Sequence, residues 1–298
     1  MPLKITKAAD PIQIDRLVLC IYGAPGLGKT TLAFTADRAL LLDFDKGAHR
    51  AAARQDSVQV SAWGDVAALT AEELAPYETV IVDTAGRALD CLSLKIMGDN
   101  PKMKGYGGAL SLQGYGALKT AFTGWLNQLR GMGKDVILIA HSDEQRNGDE
   151  VIERLDVQGG SKGEIYKCAD AMGRIKIIDG KRVLIFSPTD TAFGKNPAQL
   201  PPLPIPSPEK DRAFLAGVIA QTKAKLNEQS EAAVAELKRF TELRDTFMAY
   251  TEAENFTAAV GSVTTPKDKA LLNECAIAAG FVYDKSGKQY VRAVKAAA

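Results

Sequence analysis

Histidine and cysteine are scarce in this sequence, with two and four among 298 residues. The cysteines Cys20, Cys91, Cys168 and Cys275 form no C-x-x-C pair. That argues against a structural zinc site and for reduced, mostly buried thiols in a reducing compartment. An excess of one charge is also missing: 37 Lys plus Arg stand against 36 Asp plus Glu, a net charge of +1. A polybasic nucleic-acid coat is thereby excluded, though a local basic groove is not. No apolar run approaches the roughly 18 residues of a membrane span, and the start, MPLKITKAADPIQID, has no signal-peptide stretch. The expectation is a cytoplasmic protein without a membrane partner. There is no internal repeat.

What is present is ordinary globular material, 46% apolar and 24% charged. Over the first 190 or so residues, short apolar runs alternate with helical stretches. The strand candidates are 17–22, 39–44, 58–60, 79–83, 136–140, 174–178 and 183–187. Several are almost wholly apolar, as strands covered on both faces of a parallel sheet are. The last two flank Asp179-Gly180, a hairpin signal, so an antiparallel far edge is expected. Leu118, Phe122, Trp125, Leu126 and Leu129 recur at helical spacing over 116–129, with Gly131 as a terminator. Six prolines between Asn196 and Pro208 rule out a helix or inner strand and predict a linker or a strap on the core surface. Helices are expected at 211–225, at 231–254 and from Thr265-Pro266 to Gly280, followed by a hairpin turning at 284–287. The fold class is thus α/β, a mostly parallel sheet plus a small helical C-terminal region ending in a β-hairpin. The domains read as 1–195, a linker at 196–208, and 209–298.

Residues Gly23, Ala24, Pro25, Gly26, Leu27, Gly28, Lys29 and Thr30 spell G-x-x-x-x-G-K-[ST] between a strand and a helical stretch, the context this phosphate-binding loop requires. Its glycines let backbone N–H groups close around phosphate oxygens, with Thr31 continuing the cradle, and Lys29 reaches the β and γ phosphates. The hydroxyl of Thr30 would hold Mg²⁺. The strand Thr79-Val-Ile-Val-Asp83 supplies the second metal anchor, Asp83, set beside the loop if the two strands are neighbours. ATP and Mg²⁺ are the expected cofactors.

The residues that follow distinguish classes of P-loop protein. Asp83-Thr-Ala-Gly86 fits the D-x-x-G of GTPases, but no N-K-x-D guanine-reading segment exists. The spelling PGLGKT resembles AAA+ motors, in which Glu follows the metal-binding Asp; here Thr84 follows. No lid-like arginine cluster supports a small-molecule kinase. A RecA-type core fits the order of the segments better. Leu42-Asp43-Phe44-Asp45 resembles the RecA strand whose terminal acid polarises the attacking water, which puts Asp45 in that place. His141, after the apolar run 136–140, stands where RecA has its γ-phosphate-sensing glutamine. Ser142–Gly160, ending in Gly159-Gly160, then resembles the DNA-binding loop. Gly194-Lys195-Asn196 resembles the segment that reaches into the neighbouring subunit, with Pro197 leaving only Lys195 as a finger in trans. Residues 15–200 are most similar to phage-encoded RecA-core ATPases, the Sak-type single-strand-annealing recombinases and their nucleotide-binding relatives.

That resemblance implies an ATPase that binds single-stranded DNA and assembles into a ring or filament, in a host cell's cytoplasm if phage-encoded. A single-strand-binding protein is a further candidate partner. Each weaker assignment has a plain alternative: His141 as a strand cap, Asp45 as a solvated strand end, Lys195 as a surface lysine. For DNA, the glycine-rich stretch 102–116 offers Lys102, Lys104, Tyr106 and Tyr115, the cations and aromatic faces that sequence-tolerant single-strand binding uses. A mobile loop or a subunit contact would use the same composition. In 142–163, six acidic residues oppose Arg146, Arg154 and Lys162, so DNA contact there rests on those three cations and the backbone amides near Gly159-Gly160. The terminal hairpin carries Lys285, Lys288, Arg292 and Lys295 among Phe281, Tyr283 and Tyr290, which fits an auxiliary DNA-binding wing and, better, aromatics packed on the preceding helix under a solvated basic face. Phe256-Thr-Ala-Ala259 has the F-x-x-A spelling of an inter-subunit tag, cheap in an alanine-rich region. The rival reading is a nucleotide-gated interaction protein of phage DNA replication with weak hydrolysis and no direct DNA binding.

Overall fold

Three of the apolar runs, β1 (Val18–Gly23), β2 (Ala39–Asp43) and β4 (Thr79–Asp83), are buried at every residue in the computed structural model. The structure describes residues 3, 5–147, 150–157 and 161–293. Two units emerge, Ile14–Leu226 and the pair Met1–Gln13 with Asn227–Ala298.

In the larger unit the elements follow as β1, α1 (Lys29–Ala33), β2, β3 (Ser57–Gln59), α2 (Gly64–Ala67), β4, α3 (Ala85–Asp99), α4 (Leu112–Gly131), β5 (Asp135–Asn147), β6 (Glu150–Leu155), α5 (Ser161–Cys168), β7 (Ala171–Ile178), β8 (Lys181–Ile185) and β9 (Leu203–Pro204). The sheet order is β3-β2-β4-β5-β1-β7-β8-β9, parallel from β3 to β7 and antiparallel at β8 and β9. This is the α/β, RecA-like P-loop fold. The hairpin at Asp179-Gly180 forms as expected, both residues with positive φ (50° and 73°). The β1 and β4 strands are not neighbours: β5 lies between them, paired Gly23 to His141 on one side and Asp83 to Ile139 on the other.

Alternation along the strands feeds two cores. Cys20, Tyr22, Val80, Val82, Val136 and Leu138 pack with Leu89 and Leu92 of α3 and with Leu118, Phe122, Trp125, Leu126 and Leu129 of α4. Leu19, Ile21, Ile81, Ile137 and Ile139 face the other way, onto Leu32, Phe34, Leu215, Val218 and Ile219. Side-chain oxygens of Thr84 and Ser111 cap α3 and α4 by accepting from the N–H groups of Arg87 and Gly114. The left-handed residue after α4 is Gly133 (φ +73°), not Gly131, which is still helical.

The proline segment is a strap, not a linker. Ala198 and Leu200 are buried in the second core and Leu203–Pro204 pairs with β8. Of its prolines, Pro204 lies in this edge strand, where a missing N–H is tolerated, and the others lie outside the sheet. Consequently the division falls after Leu226 rather than at 195. The two helices expected over 211–254 are one, α6 (Phe214–Met248).

The smaller unit adds α7 (Ala253–Ala259), α8 (Pro266–Ala278), β10 (Phe281–Asp284) and β11 (Gln289–Arg292). Thr265 caps α8 with Pro266 in its first turn, and β10 and β11 form the expected hairpin. Phe247, Phe256, Leu272, Phe281 and Tyr290 make its core, so the hairpin aromatics do pack inward. Phe256 is fully buried there, which removes it as a free inter-subunit tag. Lys295 lies outside the described residues. No helix among the described residues is long and apolar enough to cross a membrane.

Candidate functional site

The loop between β1 and α1 turns through two left-handed residues, Gly26 (φ +81°) and Gly28 (φ +75°), which only glycine adopts without strain. Lys29 is buried, and its ammonium donates to the carbonyls of Gly23 and Ala24, both at 2.9 Å. It stands 3.2 Å from Nδ1 of His141. Burial lowers the Lys29 pKa to about 8 against the opposing pull of Asp83 and Asp45. The His141 pKa is also lowered, by burial and then by Lys29, which favours the neutral ring, the form that can accept from an ammonium.

Thr30 donates its hydroxyl hydrogen to Asp83 at 2.6 Å, across the intervening strand. The two metal anchors therefore meet although their strands are not adjacent: β4 and β1 run parallel, so Asp83 at the end of β4 and Thr30 in the first turn of α1, after the loop that follows β1, lie at the same end of the sheet. Burial raises the Asp83 pKa to about 6, with Asp45 and Asp43 pushing the same way and the Thr30 hydroxyl and Lys29 opposing. A carboxylate so desolvated among other acids is a site that a divalent cation would stabilise.

The strand end Leu42–Asp45 separates two roles the sequence leaves together. Asp43 is fully buried and accepts from the N–H groups of Gly47 (3.0 Å) and Ala48 (2.9 Å), so it builds the turn after β2. Asp45 instead lines a cavity of about 510 Å³ together with Pro25, Gly26, Gly28, Lys29, Thr30, Thr31, Asp83 and His141. Its backbone N–H donates to the carbonyl of Asp83 at 3.2 Å, which ties the turn to the metal-anchor strand. Three arginines escaped the sequence reading. Arg50 lines the same cavity, Arg87 lies 3.6 Å from Asp45, and Arg182 of β8 donates to the Leu27 carbonyl at 3.3 Å. Arginine at such positions carries no motif; only the folded chain brings it to the loop.

The cavity fits a nucleoside triphosphate with Mg²⁺. A glycine-lined cradle, a lysine among carbonyls and a Thr–Asp pair converge in one space of ordinary ligand size. Lys195 lies elsewhere: its ammonium donates to the Ala169 carbonyl at 2.7 Å and its backbone pairs with Met172, so within its own chain it does not line this cavity.

The DNA candidates divide. Lys102, Lys104 and Tyr106 are exposed, Lys102 and Tyr106 on two short 3₁₀ turns and Lys104 between them, bridged to Leu110. Tyr115 is not on a loop, since α4 starts at Leu112 and the ring packs against the core. The expected loop from Ser142 is an antiparallel arm, β5 paired with β6 from Ser142–Leu155 to Asn147–Glu150. On it, Arg154 lies over the Phe193 ring at 4.5 Å, and Phe193 stacks on Tyr166. The side chains of Arg146 and Lys162, and Gly159-Gly160, lie outside what is described.

A family model described as an AAA domain matches residues 15–198. No curated protein shows significant similarity to the chain. Solved structures similar to it include the KaiC-like protein PH0186 of the hyperthermophilic archaeon Pyrococcus horikoshii OT3. That match has 12% identity over 62% of this chain and 88% of that one, with a TM-score of 0.34. The family match holds although Thr84, not Glu, follows Asp83, so that position does not part the chain from AAA relatives.

Proposed function

Because the chain belongs to this AAA-domain family, we propose that it binds and hydrolyses ATP with Mg²⁺, and that it works on single-stranded DNA as a phage-type annealing recombinase in a ring or filament. The observation that carries the ATPase reading is the convergence of Lys29, Thr30, Asp83, Asp45 and His141 on one cavity. Lys29 would leave its loop carbonyls for the β and γ phosphate oxygens, and Thr30 and Asp83 would hold the metal. Bound Mg²⁺ supplies charge neutralisation at the phosphates. Asp45 orients the attacking water and takes up its proton, while His141, hydrogen-bonded to Lys29, registers whether the ammonium has moved. Lys195 from a neighbouring copy would complete the charge balance. Exposed Lys102, Lys104 and Tyr106 would bind the strand by phosphate contact and base stacking.

One observation favours the rival, a nucleotide-gated interaction protein without direct DNA binding. The arm carries Asp143, Glu144 and Glu153, and its Arg154 is already engaged by Phe193. Steady-state ATP hydrolysis with and without an unstructured single-stranded oligonucleotide, at two salt concentrations, decides between them. Stimulation that weakens as salt rises supports DNA-driven turnover. A slow rate indifferent to DNA supports the rival, and no hydrolysis with Mg²⁺ present refutes the ATPase.

A further inference from the structure

Asp45 does not face the cavity unaccompanied. Arg50 Nη2 stands 3.8 Å from one of its carboxylate oxygens and Arg87 Nε 3.6 Å from the other. Both separations exceed hydrogen-bond reach, so the carboxylate sits loosely between two guanidinium groups. Among the described residues, Arg87 has one further anionic neighbour, Asp90 at 3.6 Å, again too far for a hydrogen bond. The donors of both arginines are therefore available to a closer acceptor. The guanidinium of Arg50 lies close over Gly47, 2.5 Å from where a Cβ would stand there, and both arginine side chains are mostly exposed and free to move. The turn beneath is fixed by the buried Asp43 carboxylate. Arg87 rides on the first turn of α3, four residues after the metal-anchor Asp83.

A phosphate terminus offers what Asp45 does not: several oxygens, more than one negative charge, and a shape that accepts two parallel N–H bonds from one guanidinium. We infer that Arg50 and Arg87 are shared between Asp45 and the terminal phosphate of a bound nucleoside triphosphate, making the site selective for tri- over diphosphate. The inference rests on the ATPase reading of the cavity. When a terminal phosphate takes the arginines, Asp45 loses its cationic neighbours and becomes a better hydrogen-bond acceptor for water. With a diphosphate, the arginines stay on Asp45.

The test compares the affinities of the intact chain for Mg²⁺ with the slowly hydrolysed analogue AMP-PNP and for Mg²⁺ with ADP. The variants are R50A, R87A, R87K and D45N, each checked for folding by its tryptophan fluorescence. Arg87→Ala and Arg50→Ala are expected to weaken the triphosphate analogue about tenfold each and ADP less than about twofold. Arg87→Lys restores part of the loss, as a point charge without the fork. Asp45→Asn releases both arginines and removes a repelling charge, so it tightens the triphosphate analogue about fivefold, more than it tightens ADP. An unchanged ratio of the two affinities across all four variants overturns the clamp while leaving nucleotide binding intact. Wild-type protein that binds neither nucleotide overturns the ATPase reading itself, and the clamp with it.

Discussion

Asp43 and Asp45 sit two residues apart on one strand end, and exchanging each for asparagine should produce opposite results. In the Asp43→Asn variant one amide oxygen still accepts from Gly47 or Ala48, but the –NH₂ group confronts the other backbone N–H. A hydrogen bond to a charged group contributes about 1.5–3 kcal/mol, and a buried donor left unpaired costs its desolvation. The expected loss is about 2–3 kcal/mol of stability. Asp45 is 30% exposed at the side chain, and its ion pairs among the described residues are the long ones to Arg50 and Arg87. Such pairs contribute about 0–1 kcal/mol, and removing a charge beside buried Asp83 offsets even that, so Asp45→Asn should lie within about 0.5 kcal/mol of wild type. The assay is urea unfolding followed by tryptophan fluorescence. The chain's two tryptophans, Trp63 and Trp125, are both in the core of the larger unit, 5.1 Å apart, so the signal reports on that unit alone. Hydrolysis should separate the two variants differently. Asp45→Asn loses turnover by about two orders of magnitude as a positioned base is removed, and Asp43→Asn loses part of it through a loosened turn. Equal stability losses, or a larger one in Asp45→Asn, would refute the division of roles.

Four further outcomes are expected. Lys29→Ala should abolish nucleotide binding measured by calorimetry, and Asp83→Asn should remove the dependence of that binding on Mg²⁺ while the fold persists. Phe256→Ala should destabilise the smaller unit by about 3–5 kcal/mol in hydrogen-exchange or proteolysis measurements, as deletion of a fully buried ring does, and leave the oligomeric state untouched. Asp268, bonded to Arg239 at 2.8 Å and to the N-cap Thr265, has its pKa lowered first by the Arg239 hydrogen bonds. Its contribution is full above the ordinary carboxylate pKa of about 3.9 and is lost as pH falls through the depressed folded value. Proteolysis of the smaller unit should therefore rise below about pH 4, and less steeply in Asp268→Asn, whose baseline is already lower.

What could be read from the chain followed locality. The P-loop is contiguous, and its glycines and lysine act within a few residues, so the cradle was legible outright. The strands were legible because burial on both faces leaves near-uniform apolar runs. Asp83 was found by its place at a strand end, but the strand order that lets it reach Thr30 across β5 depends on pairings that no local pattern records. Asp43 and Asp45 look alike in sequence because what parts them is which of two acids meets the N–H groups of Gly47 and Ala48. Arg50, Arg87 and Arg182 were missed for the same reason: a cation's relevance lies in what the fold brings to it. Tyr115 was misplaced because glycines at 105, 107 and 108 resemble those at 114 and 116, yet Ser111 caps a helix that runs through the latter pair. The prolines of 197–208 allow both a linker and a strap until Leu200 and Leu203, the apolar residues between them, are seen against the core and its edge strand.

The strand that carries His141 has a mechanical consequence. Its 13 residues run without glycine or proline from the sheet centre into the antiparallel arm. At roughly 3.3 Å per residue that is a beam of about 40 Å. Residues 136–139 are clamped between two parallel neighbours, and 142–147 extend as a cantilever stiffened by one partner strand. With no hinge along its length, a displacement at the clamp is delivered to the tip as tilt instead of being absorbed in a flexible joint. A pair of glycines inserted after His141 would turn the cantilever into a flail, leaving both ends folded and the transmission between them cut.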